Sequence, residues 1–322
     1  MRPAPTGGER CDKLRALLQP EWRNWQTHGT QNPAFFGTCG FDPHLRHHPL
    51  HQRLLSFPRP AAVLALTLLL STRSASAEDA KFLPFIGPQL EAARYSSANE
   101  EFAWVGWIGA RTDLVDVGKS TAFFNPNVET ILGHRVRSFE AVQANYSLEV
   151  GLRRAIGRRQ ASLFFHHVSR HEQDRLKVQA VDWNFLGLRL ESPWPARWNR
   201  GGGFAASFGA ATLSSGVNYD WEARMTADID IVRKGEKSLF FLADGRRVGA
   251  VPSTGYSRGS FTDFRGELGF RFARESRRFS LFVAYDHRND ARIQGPLVID
   301  RALFGFRIRG ERRDIPSSVP LP

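Results

Sequence analysis

Residues 164 to 175 read FFHHVSRHEQDR, which places three histidines, a serine and two acids in one short run. Two kinds of chemistry suit that composition. Imidazoles and carboxylates hold metal ions, and a histidine beside a serine can take its hydroxyl proton for attack on an ester. The metal reading requires the ligands to converge. On an extended strand His167 and His171 share a face but stand ~13 Å apart at ~3.3 Å per residue, whereas zinc holds each nitrogen at ~2 Å. The HVSRH spacing would suit a helix, but the acid of H-E-x-x-H is missing. No metal set is expected, and no cofactor either, since the glycines at 201 to 203 lack the strand-to-helix setting of a phosphate-binding fingerprint. The hydrolase reading asks less. His167 and Ser169, two apart, need only share one face of a strand, with an acid orienting the imidazole.

The surrounding chain supplies strands. In VQANYSLEVGLR the residues Val142, Ala144, Tyr146, Leu148, Val150 and Leu152 alternate with Gln143, Asn145, Ser147, Glu149, Gly151 and Arg153. NYDWEARMTADIDIV sets Tyr219, Trp221, Ala223, Met225, Ala227, Ile229 and Ile231 against Asp220, Glu222, Arg224, Thr226, Asp228 and Asp230. DFRGELGFRF, FSLFVAYDHR and DRALFGFRIRG behave alike. Period-two alternation sustained this long exceeds the usual strand of a soluble sandwich and matches membrane-barrel strands of ~9 to 11 residues, apolar toward lipid and polar toward the lumen. The expected fold is therefore all-β: a closed antiparallel up-and-down transmembrane β-barrel of about ten strands, within a range of eight to twelve, over residues 101 to 309. The turns RAIGRR, RKGEK and RESRR fall on one side, with longer connections on the other.

The N-terminal part fits export. Arg53 and Arg59 precede the apolar run from Ala61 to Leu70, and Ala75-Ser76-Ala77 follows, the order of a signal peptide over residues 51 to 77. Residues 1 to about 50 are expected to be a spurious extension, since GFDP at 40 to 43 matches a translated transfer-RNA T-arm. Residues 78 to 100 are expected to be a periplasmic segment and 310 to 322 a disordered tail. Both cysteines, Cys11 and Cys39, lie in the leader. Removing its nine basic and four acidic residues lowers the net charge from +12 to +7, which gives no reason to expect a nucleic-acid partner.

Inward positions read from parity are Arg153, Arg224, Arg265, Arg271, Arg288, Arg301, Arg307 and Arg309, against Glu149, Asp220, Glu222, Asp228, Asp230, Asp263, Glu267 and Asp286. Balanced charges in a barrel this narrow are expected to close it by ion pairs rather than leave a pore. Asp286-His287 and Asp228-Ile229-Asp230 resemble in composition the ten-stranded aspartyl-type proteases of the outer membrane, without their Asp-x-His order. Trp104, Trp107, Trp183, Trp221 and Tyr219 are expected as an interfacial girdle.

On the strand 160 to 169, Ala161, Leu163 and Phe165 mark the lipid face, so His167 and Ser169 look outward at its outer end, His166 looks inward, and His171 onward enters a loop. His167-Val168-Ser169 resembles the His-x-Ser dyad of outer-membrane lipid A deacylases. That resemblance implies an esterase acting on outer-leaflet lipid; here Ser169 is followed by Arg170-His171 where the family has Asn-Ala. The segment equally resembles uncharacterised outer-membrane barrels with a His-x-Ser-Ser-His rim. That resemblance implies a structural, adhesive or lipid-contacting role without catalysis. The aromatic last strand resembles those recognised by the barrel assembly machinery, which with outer-membrane lipid and lipopolysaccharide completes the expected partners.

Overall fold

A computed structural model describes residues 80–173, 181–195, 201–251, 259–291 and 297–312. The expected extension, the expected signal peptide with its cleavage site and the sequence beyond residue 312 lie outside the described residues. Twelve strands follow in chain order: β1 (Ala80–Tyr95), β2 (Trp104–Val117), β3 (Ser120–Gly133), β4 (Glu140–Ile156), β5 (Arg159–Glu172), β6 (Val181–Pro193), β7 (Gly202–Ser215), β8 (Tyr219–Lys234), β9 (Lys237–Ala250), β10 (Phe261–Arg274), β11 (Arg277–Arg288) and β12 (Ile299–Gly310). Each pairs with its sequence neighbour, and β1 pairs with β12 from Gln89↔Arg309 to Tyr95↔Leu303, so the sheet closes. Closure leaves no unpaired edge, the condition for a sheet in lipid.

The two strands beyond the expected ten are β1 and β3. Both carry proline, Pro84 and Pro88 in β1 and Pro126 in β3, and β1 also shifts register between Phe82 and Phe85. Proline removes a ladder donor and reads as a strand breaker. Here the residues on either side restore pairing. The stretch expected to be a periplasmic segment is thus largely the strand that seals the barrel. At the other end Gly310 completes β12, Glu311 pairs with Arg278 at 2.7 Å, and Arg312 reaches Asp113 and Asp116 at 2.7 Å, so the first three residues of the expected tail belong to the barrel.

The two rims differ. On the side where β1 begins and β12 ends, four of five connections are two residues long: Gly118-Lys119, Gly157-Arg158, Gly235-Glu236 and Glu275-Ser276. Their first residues all have φ of +53° to +60°. Glycine meets that left-handed requirement without strain, and only Glu275 bears it with a side chain. Short turns belong to the periplasmic side of such barrels and long loops to the other. The opposite, distal rim carries the longer connections.

Alternation sorts the faces. Tyr146, Leu148, Val150 and Leu152 point out from β4, Phe264, Leu268, Phe270 and Phe272 from β10, and Phe304, Phe306 and Ile308 from β12, all exposed. Met225 is 69% exposed and Phe270 61%. An apolar surface this continuous is no surface for water; it is a lipid-facing belt. The inward positions are charged and buried. Arg271 binds Asp228 and Asp230 at 2.8 and 2.9 Å, Arg307 joins Glu91 to Glu267 at 2.6 Å each, Arg288 holds Glu129, and Arg246 bridges Glu222 and Asp263.

Parity misplaces residues where the register shifts. A bulge between Tyr219 and Trp221 turns Tyr219 inward and leaves Asp220 exposed, so Asp220 is not a lumen acid. Among the expected girdle residues, Trp104 and Trp221 do lie on the outer face. Trp107 and Trp183 point inward: Trp183 is 2% exposed and packs edge-on against Tyr219 at 5.1 Å, within a layer formed with Val168, Val181, Val248 and Phe261 near the distal end.

Candidate active site

The outward face of β4, β5 and β6 carries the residues of interest. Leu148 pairs with His167, Tyr146 with Ser169 and Ala144 with His171 on one side of β5; on the other, Asn184 pairs with His167 and Asp182 with Ser169. Strand parity therefore puts Tyr146, His167, Ser169, His171, Asp182 and Asn184 on one patch of the outer wall. It sits above the exposed Phe165 and Leu186, where the apolar band gives way to polar residues at the distal rim.

His167 and Ser169 share this face, as expected, and His166 looks inward. His171 differs from expectation. β5 runs on to Glu172, so His171 remains on the strand and on the same outer face rather than in a loop. The hydrogen bonds are specific. His167 Nδ1 lies 2.6 Å from Asn184 Oδ1, and Ser169 Oγ lies 2.7 Å from His171 Nε2. The His171 ring meets Tyr146 edge-on at 5.3 Å. An amide oxygen only accepts, so this contact puts a proton on Nδ1 of His167, and in the neutral ring the lone pair then lies on Nε2. That is the tautomer a general base needs. Ser169 thus lies between two imidazoles, one spaced two residues before it and held by Asn184, the other two residues after it and bonded to its hydroxyl.

Asn184 was not singled out from the sequence. Its signal is the same as that of His167 and Ser169: Asp182, Asn184, Leu186, Leu188 and Leu190 form one alternating set whose first two members turn polar. Glu172 and Asp174, the acids beside the cluster in sequence, have no described bond to His167; Asp174 lies outside the described residues. Among the described residues no group of histidines, cysteines and acids is placed to hold a metal ion.

A second serine and histidine occupy the other side of the same two strands. Ser147 Oγ lies 2.9 Å from His166 Nε2, both buried, beside a lumen cavity of about 150 Å³ lined also by Glu222, Arg224 and Asp244. His166 sits opposite Glu149, which Arg189 engages through both carboxylate oxygens. Near the distal end Asp290, from the connection after β11, accepts from Tyr219 at 2.6 Å and pairs with Arg170 at 3.0 Å. Arg170 is the inward residue between Ser169 and His171, so this cross-lumen clamp grips the strand segment that carries the outer patch. The Asp286-His287 pair is split by parity: Asp286 is buried in the lumen, while His287 bonds Asp300 on the outside at 2.5 Å.

A closed sheet, an apolar exterior and a charged interior decide the architecture. The fold is that of an outer-membrane β-barrel. No protein-family model and no curated protein matches the chain. Solved structures similar to it include outer membrane phospholipase A from Escherichia coli, with TM-score 0.44 and 10% identity over 71% of this chain and 93% of that one. The Salmonella typhi outer membrane phospholipase dimer with bound calcium has TM-score 0.44 and 11% identity over 77% and 96%. LpxR from Salmonella typhimurium has TM-score 0.41 and 11% identity over 70% and 100%. Identity this low transfers no residue role to this chain.

Proposed function

We propose that this outer-membrane barrel hydrolyses carboxylic esters of outer-leaflet lipid on its outer wall, with Ser169 as nucleophile, His167 as general base and Asn184 as the group that orients it. The observation that carries this reading is the 2.6 Å contact between His167 Nδ1 and Asn184 Oδ1, which favours the neutral tautomer with its lone pair on Nε2, two residues from an outward serine. Ser169 Oγ attacks the ester carbonyl and its proton passes to His167 Nε2. Collapse of the tetrahedral adduct returns that proton to the departing alcohol, and water then cleaves the acyl-serine by the same route. For the first step the Ser169 hydroxyl leaves His171 and turns toward His167, a change between staggered χ1 wells. His171 holds the hydroxyl between turnovers.

The patch lies on the outer wall at the border of the apolar belt, a position that favours lipid over soluble esters. The ion-paired interior supports a barrel that is closed to solutes and serves as a rigid mount. Lipopolysaccharide acyl chains and phospholipids are both of the right class. In biogenesis, Phe304, Phe306 and Ile308 of β12 present an aromatic closing strand suited to the barrel assembly machinery.

The test is fatty-acid release from phospholipid and from lipid A in mixed micelles, with lipid A mass spectra from expressing cells. Release by the wild type and none by Ser169→Ala is the expected result. Equal release by the two proteins, or none by either from both substrates, overturns the proposal. If His171→Asn rather than His167→Asn abolishes release, the base is His171 and the assignment of His167 is wrong.

A further inference from the structure

Below the catalytic patch, on the same wall but at the opposite rim, the outer surface is notched. Cross-strand pairing lines up Arg154, Ala161, Leu190 and Ala206 in one outward row across β4 to β7. The next outward row toward the distal side is Leu152, Leu163, Leu188 and Phe208. Two methyl groups thus stand where the row above has a leucine and a phenylalanine, and a groove of about 730 Å³ opens under that apolar overhang. Its volume falls within the range of roughly 300–1,000 Å³ typical of small-ligand sites.

The groove ends at cations. Lys119 and Arg154 line it directly, and Arg158 and Arg159 stand at the adjoining turn, lining a polar pocket that shares Lys119, Ala155 and Gly157 with the groove. Lys119, Arg158 and Arg159 are exposed, and no ion pair engages them among the described residues. Two acids, Asp116 and Glu191, also line that polar pocket, but from its lumen side, where Asp116 is taken by Arg312 and Thr121 and Glu191 is buried; the groove itself has no acid in its lining. Positive charge is therefore collected at the level where headgroups of the turn-side leaflet lie, directly below an apolar slot open to the chains. A smooth barrel wall with a uniform girdle would show neither the notch nor its alignment with the charges.

We infer that this notch is a binding site for an anionic phospholipid of the turn-side leaflet, an acyl chain lying between Leu190 and the Leu188–Phe208 overhang and the phosphate meeting Lys119, Arg158 and Arg159. Juxtamembrane cations attract anionic lipid, and the slot adds apolar contact that a generic boundary lipid does not receive. The inference is independent of the esterase reading.

The test uses the full chain in detergent micelles and ether-linked lipids, which an esterase cannot cleave. Native mass spectrometry counts retained ether-linked phosphatidylglycerol against ether-linked phosphatidylcholine of the same chains. The wild type is expected to retain one phosphatidylglycerol preferentially. Lys119→Gln, Arg158→Gln and Arg159→Gln together should cut that preference by about tenfold or more, and Ala206→Trp, which fills the notch from the lipid side, should cut retention of both lipids. All three altered cations lie at exposed turn or strand-end positions, so the triple variant should still fold, and circular dichroism verifies it. Equal retention of the two lipids by the wild type, or a preference unchanged in the folded triple variant, overturns the inference. Displacement of the bound lipid by millimolar inorganic phosphate would show a headgroup-only site and also overturn it.

Discussion

β4 and β5 carry two serine–histidine hydrogen bonds in neighbouring register, one on each side of the sheet. Ser147 and His166 meet inside at 2.9 Å; Ser169 and His171 meet outside at 2.7 Å. The residue types and bond lengths are alike, so neither can decide function. The surroundings differ. The inner pair is walled in by Glu149, Glu222 and Arg224 beside a cavity of about 150 Å³, too small and too charged for an acyl chain. The outer pair has a second histidine, His167, held by Asn184 at 2.6 Å, and it lies on the outer face. Catalysis is a property of what a nucleophile can reach and how its base is held, not of the pair alone.

The sharpest way to break this comparison is to delete both serines separately. Ser169→Ala should lower lipid-ester hydrolysis by about a thousandfold or more, since removal of a nucleophile leaves only binding and positioning. Fatty-acid release in mixed micelles measures it, and residual activity near that of the wild type would assign the chemistry elsewhere.

The next effect concerns the lumen as a mount. Arg271 sits 4% exposed between Asp228 and Asp230 and lies 4.2 Å above the Phe240 ring. Arg271→Met takes the shared cation from two buried carboxylates, leaving Asp228 the longer Arg278 contact at 3.4 Å and Asp230 the Ser238 hydroxyl at 2.9 Å, and should cost about 3 kcal/mol, seen as a lower midpoint in urea unfolding from micelles. An unchanged midpoint would mean that the interior charges are not closely coupled to the fold. Asn184→Ala comes after it. Without its acceptor the His167 ring loses one tautomer and one orientation, so kcat should fall by about ten- to a hundredfold with KM retained. A change in KM alone would make Asn184 a lipid contact.

Much of this was legible from the chain. Alternation in β4, β8, β10, β11 and β12 gives the fold class and most inward charges, and parity alone puts His167 and Ser169 outside and His166 inside. Most of the failures share one cause: period-two reading assumes an unbroken register. Pro84, Pro88 and Pro126 hid β1 and β3, and the bulge at Tyr219 reversed the facing of Tyr219 and Asp220. Trp183 failed for another reason, because tryptophan was assigned to the girdle by type although Leu186, Leu188 and Leu190 put the lipid face on the other parity of β6. Asn184 itself was legible in principle but not in practice. Its role lies in pairing with a residue 17 positions earlier, a register that depends on a connection whose length fixes no turn geometry.

The smallest effect tests the comparison from its quiet side. Ser147→Ala removes one hydrogen bond from buried His166 while Glu149 and its partner Arg189 stay in place. The expected stability loss is about 1 kcal/mol, and hydrolysis should stay within about twofold of the wild type. The two readouts matter together. A stability loss with activity intact shows that the inner pair holds the wall and no more. A large activity loss at unchanged stability would mean that a cavity group acts on the reaction through the sheet, and the division between an inert interior and a reactive exterior would fail. Arg170 is the place to look in that event, because its clamp to Asp290 and Tyr219 lies between Ser169 and His171 on the same strand.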